Sequence, residues 1–142
     1  MSLTLEEIGT QHIDRVQELA AHPQVLATTD MPEPYPADGA RQFIEETIEL
    51  KKKGNRHVYV IKLDDQLIGV CGLENVDQGC GELGYWIGID YWGKGYASLA
   101  VDQLIGLGFG QLGLQTITSH CLLSTSNIYD VVVRRGDSYC TY

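Results

Sequence analysis

The pattern most suited to chemistry is Gly93-Lys94-Gly95, two glycines bracketing a lysine just ahead of an apolar pattern at helical spacing that begins at Tyr96. The first amides of a helix have no intrahelical partner, and the helix dipole adds partial positive charge there. Glycines at that point let a bulky anion reach the backbone without meeting a Cβ. A phosphate or pyrophosphate is the expected guest. Two glycines alone are equally explained by a tight turn that binds nothing, so the residues around them decide the matter.

Ahead of the turn, Leu83, Tyr85, Ile87 and Ile89 alternate with Glu82, Gly84, Trp86 and Gly88, which is the two-residue period of a strand. The order is therefore strand, glycine turn, helix. Taken together, Glu82-Leu83-Gly84-Tyr85-Trp86-Ile87-Gly88 and Trp92-Gly93-Lys94-Gly95-Tyr96-Ala97 resemble the acetyl-CoA signature of the GNAT N-acetyltransferases. The resemblance is greatest to the subgroup that acetylates the N-termini of ribosomal proteins. The family pattern is Gln or Arg, two residues, Gly, one residue, then Gly or Ala. Gly95 and Ala97 match it, and Trp92 replaces the usual Gln or Arg, as is common in that subgroup.

The resemblance implies an N-acetyltransferase that passes an acetyl group from acetyl-CoA directly to a primary amine, on a protein N-terminus or a small molecule. Backbone groups of Ile87, Gly88 and Ile89 would pair with the pantetheine amides like an added strand. The turn that begins after Trp92 would hold the pyrophosphate on the amides of Gly93, Lys94, Gly95, Tyr96 and Ala97. Lys94 would add charge or face solvent, and Ser98 could contribute a hydroxyl. Glu82 is the expected base, because the family often places a glutamate on this strand; an ordinary polar strand position is the competing explanation. An α-amino group, with a pKa of about 7.7–8, is partly neutral near neutral pH, whereas a lysine at about 10.4 is mostly charged. A module of the same fold that binds CoA without turnover is the alternative.

The remaining elements fit the family's α/β (α+β) fold, a mixed and mostly antiparallel sheet flanked by helices. Leu3 and Leu5 start a strand, and Thr10 is the expected cap of a helix whose stripe is Ile13, Val16 and Ala20. His22-Pro23 ends that helix, and Met31 to Pro36 forms a stiff loop. Asp38 is the expected cap of the next helix, with Ala40, Phe43, Ile44, Thr47 and Ile48 inward and Gly54 closing it. Residues 56–63 and 67–73 read as an antiparallel hairpin, and Asp77-Gln78-Gly79 turns the chain into the Glu82 strand. A helix from about Ala97 to Leu112 follows, with Gly113 as its C-terminal cap, and then a strand from Thr116 to Leu122. Gly108 to Gly113 also fits G-x-G-x-x-G, but helix-to-strand order is the reverse of what dinucleotide binding needs. The antiparallel hairpin likewise speaks against a nucleotide-binding domain of parallel βαβ units.

After Cys121 the chain departs from the family pattern, so residues 1–142 read as one GNAT domain whose C-terminal helix, within 123–142, is missing or atypical. Ile128 to Val133 is expected to be a strand on its β-branched content, with Ser138 to Tyr142 returning. The competing alignment makes 128–135 a shortened helix and Tyr129 the group that protonates the departing thiolate. A sheet edge opened by a missing segment could be covered by a second copy of the chain, giving a homodimer.

Composition excludes several classes. The net charge of −9 disfavours nucleic acid, and residues 1–50 carry ten carboxylates against Arg15 and Arg41 alone. Such an acidic face could attract a cationic acceptor or simply be solvated. No apolar run approaches the ~20 residues that span a bilayer, and no basic-then-apolar segment opens the chain, so the expected location is cytoplasmic. Cys71, Cys80, Cys121 and Cys140, and His12, His22, His57 and His120, show no metal-ligand spacing; no metal is expected.

Overall fold

β-Branched and aliphatic residues at period two build the sheet, and the computed structural model describes residues 2–29, 31–122 and 128–134. Its strands are β1 (Leu3–Glu7), β2 (His57–Leu63), β3 (Gln66–Asp77), β4 (Cys80–Ile87), β5 (Thr116–Leu122) and β6 (Ile128–Arg134). They lie side by side in chain order, and every neighbouring pair is antiparallel except β4 and β5. That parallel pair needs a crossover, which is helix α4 (Tyr96–Gly110). Helices α1 (Ile13–Ala20), α2 (Pro23–Leu26) and α3 (Gly39–Lys52) all fall between β1 and β2.

Strand alternation divides the core into two layers. Ile61, Cys71, Leu73, Leu83, Ile87 and Ile117 pack with Ala100, Leu104 and Ile105 of α4. Val58, Val60 and Val70 face the other way, onto Val16 of α1 and Ala40 and Ile44 of α3. Gly108 is required by this packing, since a Cβ there would lie 2.9 Å from Ile117 Cδ1 and 3.1 Å from Leu73 Cδ1. Gly106 and Gly110 meet open space, so packing does not explain them.

Of the two expected helix caps, Thr10 is displaced from the capping position, whereas Asp38 holds it without a side-chain bond to the backbone. Thr10 opens a short 3-10 turn (Thr10–His12) and Gly9 holds the capping position. The capping contact comes from His12, whose Nδ1 accepts the Gly9 amide at 3.0 Å while its Nε2 donates to Glu6 at 2.6 Å. Asp38 stands at the head of α3, but its carboxylate accepts from Gln42 instead of from a backbone amide. Gln17 of α1 supplies the cap, accepting the Ala40 amide at 3.0 Å and donating to the Pro36 carbonyl at 2.8 Å. The caps come from neighbours brought close by folding, which local sequence cannot register.

As expected, α1 stops ahead of His22-Pro23 and His22 is extended (ψ 129°); Pro23 then opens α2, where its fixed φ is tolerated. The hairpin is as expected, with β3 extended to Asp77, but α4 ends at Gly110 with Gln111 at its C-cap, so left-handed Gly113 (φ +68°) lies beyond the cap it was expected to form. Residues 128–134 form a strand antiparallel to β5, in register from Leu122–Ile128 to Thr116–Arg134, which overturns the alternative helix there. The expected return at Ser138 to Tyr142, and the segment Ser124 to Asn127, lie outside the described residues.

Candidate active site

The site begins where two strands part. β4 is paired with β5 only from Cys80–Thr116 to Leu83–Ser119, although β4 continues to Ile87 and β5 to Leu122. On its other edge β4 stays paired with β3 as far as Gly69–Ile87. The Gly88 amide donates to the Ile68 carbonyl at 2.8 Å, which turns the even-numbered amides of β4 toward β3. Those of Leu83, Tyr85 and Ile87 therefore face the β5 side, and beyond Leu83 that side is the opening.

Ile87, Gly88 and Ile89 sit at its far end, but they are not equivalent. Gly88 is occupied within the chain, its amide by Ile68 and its carbonyl by the Tyr91 amide. The Ile89 carbonyl accepts the Trp92 amide at 3.3 Å. The Ile87 carbonyl accepts the Trp92 indole Nε1 at 2.7 Å. Trp92 thus reaches back and fastens the end of β4 to the start of the glycine turn, a contact that its residue type alone did not disclose.

The turn has the geometry that an anion needs. Gly93 and Gly95 are both left-handed, at φ +75° and +81°, and a Cβ at either would meet nothing within 4 Å. Gly95 precedes α4, whose N-terminus has no side-chain cap and no acidic residue in its first turn. The amides of Tyr96, Ala97 and Ser98 therefore open the helix with the full positive end of its dipole. Lys94 is exposed; Tyr96, Ala97 and Ser98 are half-buried.

Behind the turn, a short 3-10 segment (Ile89–Tyr91) is tied to the N-terminal layer through Arg15. Arg15 donates to the Tyr91 hydroxyl at 3.2 Å and to the Leu67 carbonyl at 3.2 Å. One of only two bases among the first fifty residues, it was conspicuous in the sequence for that reason alone.

Glu82 lies at the closed end, where β4 and β5 are still paired, about 17 Å along the strand from Ile87. The Asn75 amide donates to its Oε2 at 2.6 Å. Glu82 pairs across the ladder with Glu74, which is 3.7 Å from Arg56 Nε, and with Thr118 of β5 on its other side. Arg56 also donates to Thr47 at 3.3 Å, approaches Glu46 at 3.9 Å and lies over the Phe43 ring at 5.5 Å. Glu82 is thus part of a polar row on the α3 side of the sheet, and the next position on that face, Gly84, leaves open space. The structure brings the strand and turn residues together at one end and sets Glu82 apart at the other. Asn75, Trp92 Nε1 and Arg15 are contacts that sequence reasoning missed.

Among the described residues no group of three His, Cys, Asp or Glu side chains could hold a metal ion, and no helix is long and apolar enough to cross a membrane. Cys71 is buried, which pushes its thiol up to about 12 and keeps it unreactive.

Residues 2–128 match the acetyltransferase (GNAT) domain family. An uncharacterized N-acetyltransferase p20 of Bacillus licheniformis is 34% identical over 119 residues, which is 81% of this chain and 67% of that protein. A ribosomal alpha-N-protein acetyltransferase solved in complex with coenzyme A superposes with a TM-score of 0.77 at 17% identity, over 88% of this chain and 73% of that one. A spermidine N-acetyltransferase from Vibrio cholerae, solved with CoA and spermine, gives 0.72 at 20% identity over 84% and 71%. At those identities the two solved structures share the fold.

Proposed function

Because this chain belongs to the GNAT acetyltransferase family and is an N-acetyltransferase, we propose that it takes acetyl-CoA at the opening between β4 and β5 and delivers the acetyl group to a primary amine at the Glu82 end. The observation that carries this reading is the parting of the two strands directly beside an uncapped helix N-terminus with two left-handed glycines. The pyrophosphate rests on the amides from Gly93 to Ala97, with Ser98 at the same helix start and Lys94 close enough to add charge. The pantetheine arm lies along β4 as an added strand, using the Ile87 edge that faces the opening. Gly88, engaged on both its amide and its carbonyl, supports this edge from behind.

An extended arm running from the turn toward Leu83 brings the thioester toward Glu82. The acceptor amine approaches over Gly84, where, among the described residues, nothing lies within 4 Å of a Cβ position. Its nitrogen attacks the thioester carbon as Glu82 takes the proton, directly or through one water. A β4 amide facing the opening meets the oxyanion, and the C–S bond then breaks to release the thiolate, which takes up a proton. The acceptor is a protein N-terminus or a small-molecule amine. The two solved relatives act on one of each, according to their names.

Calorimetry with acetyl-CoA, with pantetheine lacking phosphate as control, tests the donor site. Binding that needs the pyrophosphate supports it, and equal binding of both ligands refutes it. For the base, Glu82→Gln is expected to slow acetylation of spermidine or of a peptide with a free N-terminus by about 10²–10⁴-fold. Acetyl-CoA affinity should stay unchanged, and parallel loss of both would remove Glu82 from the chemistry.

A further inference from the structure

β3 does not run evenly past Glu82. Its register against β4 shifts between Glu74 and Asp77, and within that bulge Asn75 is left-handed at φ +49°. In a regular strand Asn75 would project to the face opposite Glu74, away from Glu82. The bulge breaks the alternation, so that Asn75 bonds to the glutamate whose ladder partner is Glu74. Asparagine is among the few side chains that tolerate this backbone, and bulges commonly re-aim a side chain beside a working site.

We propose that Asn75 is a positioning residue for Glu82, aimed by the bulge so that its amide holds Oε2 and leaves the other oxygen for the incoming amine. This rests on the reading of Glu82 as the base. The surroundings make such a clamp useful. Among the described residues, Glu74 is the charged group directly across from Glu82, and two carboxylates side by side repel. Arg56, packed against α3 between Glu46 and Glu74, takes up the Glu74 charge. Asn75 then fixes the direction of the Glu82 carboxylate with a 2.6 Å hydrogen bond, while Thr118 on the β5 side brings no charge. The Asn75 hydrogen bond and the Arg56–Glu74 pairing together leave the Glu82 carboxylate fixed in direction beside a like charge.

The test is a double-mutant cycle on acetylation of spermidine or a peptide by the full chain. Asn75→Gly removes the amide and keeps the left-handed backbone at no steric cost, so the bulge survives. Its kcat should fall by about tenfold, the loss of one hydrogen bond to a charged group, with KM for acetyl-CoA unchanged. Asn75→Asp, which puts a carboxylate where the amide stood, should lose at least as much. In a Glu82→Gln background Asn75→Gly should cost nothing further, an outcome that a merely structural role would not give. A kcat within about twofold of the wild type in both Asn75 variants overturns the proposal, as does an equal loss in the Glu82→Gln background. The two readings fail separately. If Glu82→Gln leaves acetyl transfer at full rate, the base assignment falls whatever the Asn75 variants show. If Glu82→Gln is slow but neither Asn75 variant lowers kcat, only the clamp falls.

Discussion

Gly95 and Gly54 form a matched pair that separates strain from binding. Both are left-handed, at φ +81° and +74°, and a Cβ on either would meet nothing within 4 Å. Alanine at each position therefore costs conformational energy alone, about 1–2 kcal/mol for the left-handed backbone. Reduced freedom of the unfolded chain returns about 0.4–1 kcal/mol of that. The net loss of about 1 kcal/mol should be the same for both, a drop in Tm of roughly 3–6 °C for a chain of this size. Their effects on acetyl-CoA should not be the same. Gly54 lies just beyond α3, whereas Gly95 leads into α4 at the proposed pyrophosphate site. Displacing one charge-assisted hydrogen bond there costs about 1.5–3 kcal/mol, or roughly 10–150-fold in affinity. Thermal unfolding and calorimetry on Gly54→Ala and Gly95→Ala read the two quantities independently. Equal Tm losses with affinity lost only in Gly95→Ala are expected. If Gly95→Ala binds acetyl-CoA as tightly as Gly54→Ala does, the turn is not the anion site.

Trp92→Phe keeps a ring but no donor for the Ile87 carbonyl; being partly exposed, the site should lose only about 0.5–1 kcal/mol of stability, with acetyl-CoA binding weakened several-fold by calorimetry. Acid should weaken the fold in two steps. Burial, aided by Lys51, lowers the His57 pKa from its ordinary 6.5, so the unfolded chain binds that proton more readily and stability falls as pH drops below 6.5. Hydrogen bonds from His12 and then Lys62 hold Glu6 below its ordinary 4.5, so its contribution, complete above 4.5, is lost as pH falls through the lowered value. Urea midpoints measured from pH 7.5 to 3 should show both slopes, with His57→Gln flattening the first and Glu6→Gln the second. Buried Cys71 should escape maleimide labelling in the native protein and react after denaturation, as read by peptide mass spectrometry.

The parts of the fold set by repeating patterns were legible before any coordinates. The alternation around Leu83 to Ile87 became β4, Thr116 to Leu122 became β5 with those same limits, and the valines from Val131 became β6. The glycine turn was legible as the link from strand to helix, whereas its left-handed φ values belong to the structure. What stayed hidden depends on neighbours distant in the chain. Gln17 caps a helix that begins more than twenty residues later, and Arg15 meets Tyr91 across 76 positions. The bulge at Asn75 escaped notice because a single asparagine near the end of an apolar run reads as the end of a strand, and β3 in fact continues to Asp77. Glu82 was picked out through its strand and a resemblance, whereas its partners are visible only once β3 is laid beside it.

The borrowed cap on α3 bears on how the molecule comes apart. A helix capped by its own sequence can persist as a local unit, but the Ala40 amide finds its acceptor on α1. The same Gln17 side chain also holds the Pro36 carbonyl, so undocking α1 releases the start of α3 and the end of the preceding loop together. These segments therefore open as one cooperative unit. The Ala40 amide, slow to exchange with solvent only while α1 is in place, is a single-residue reporter of that opening.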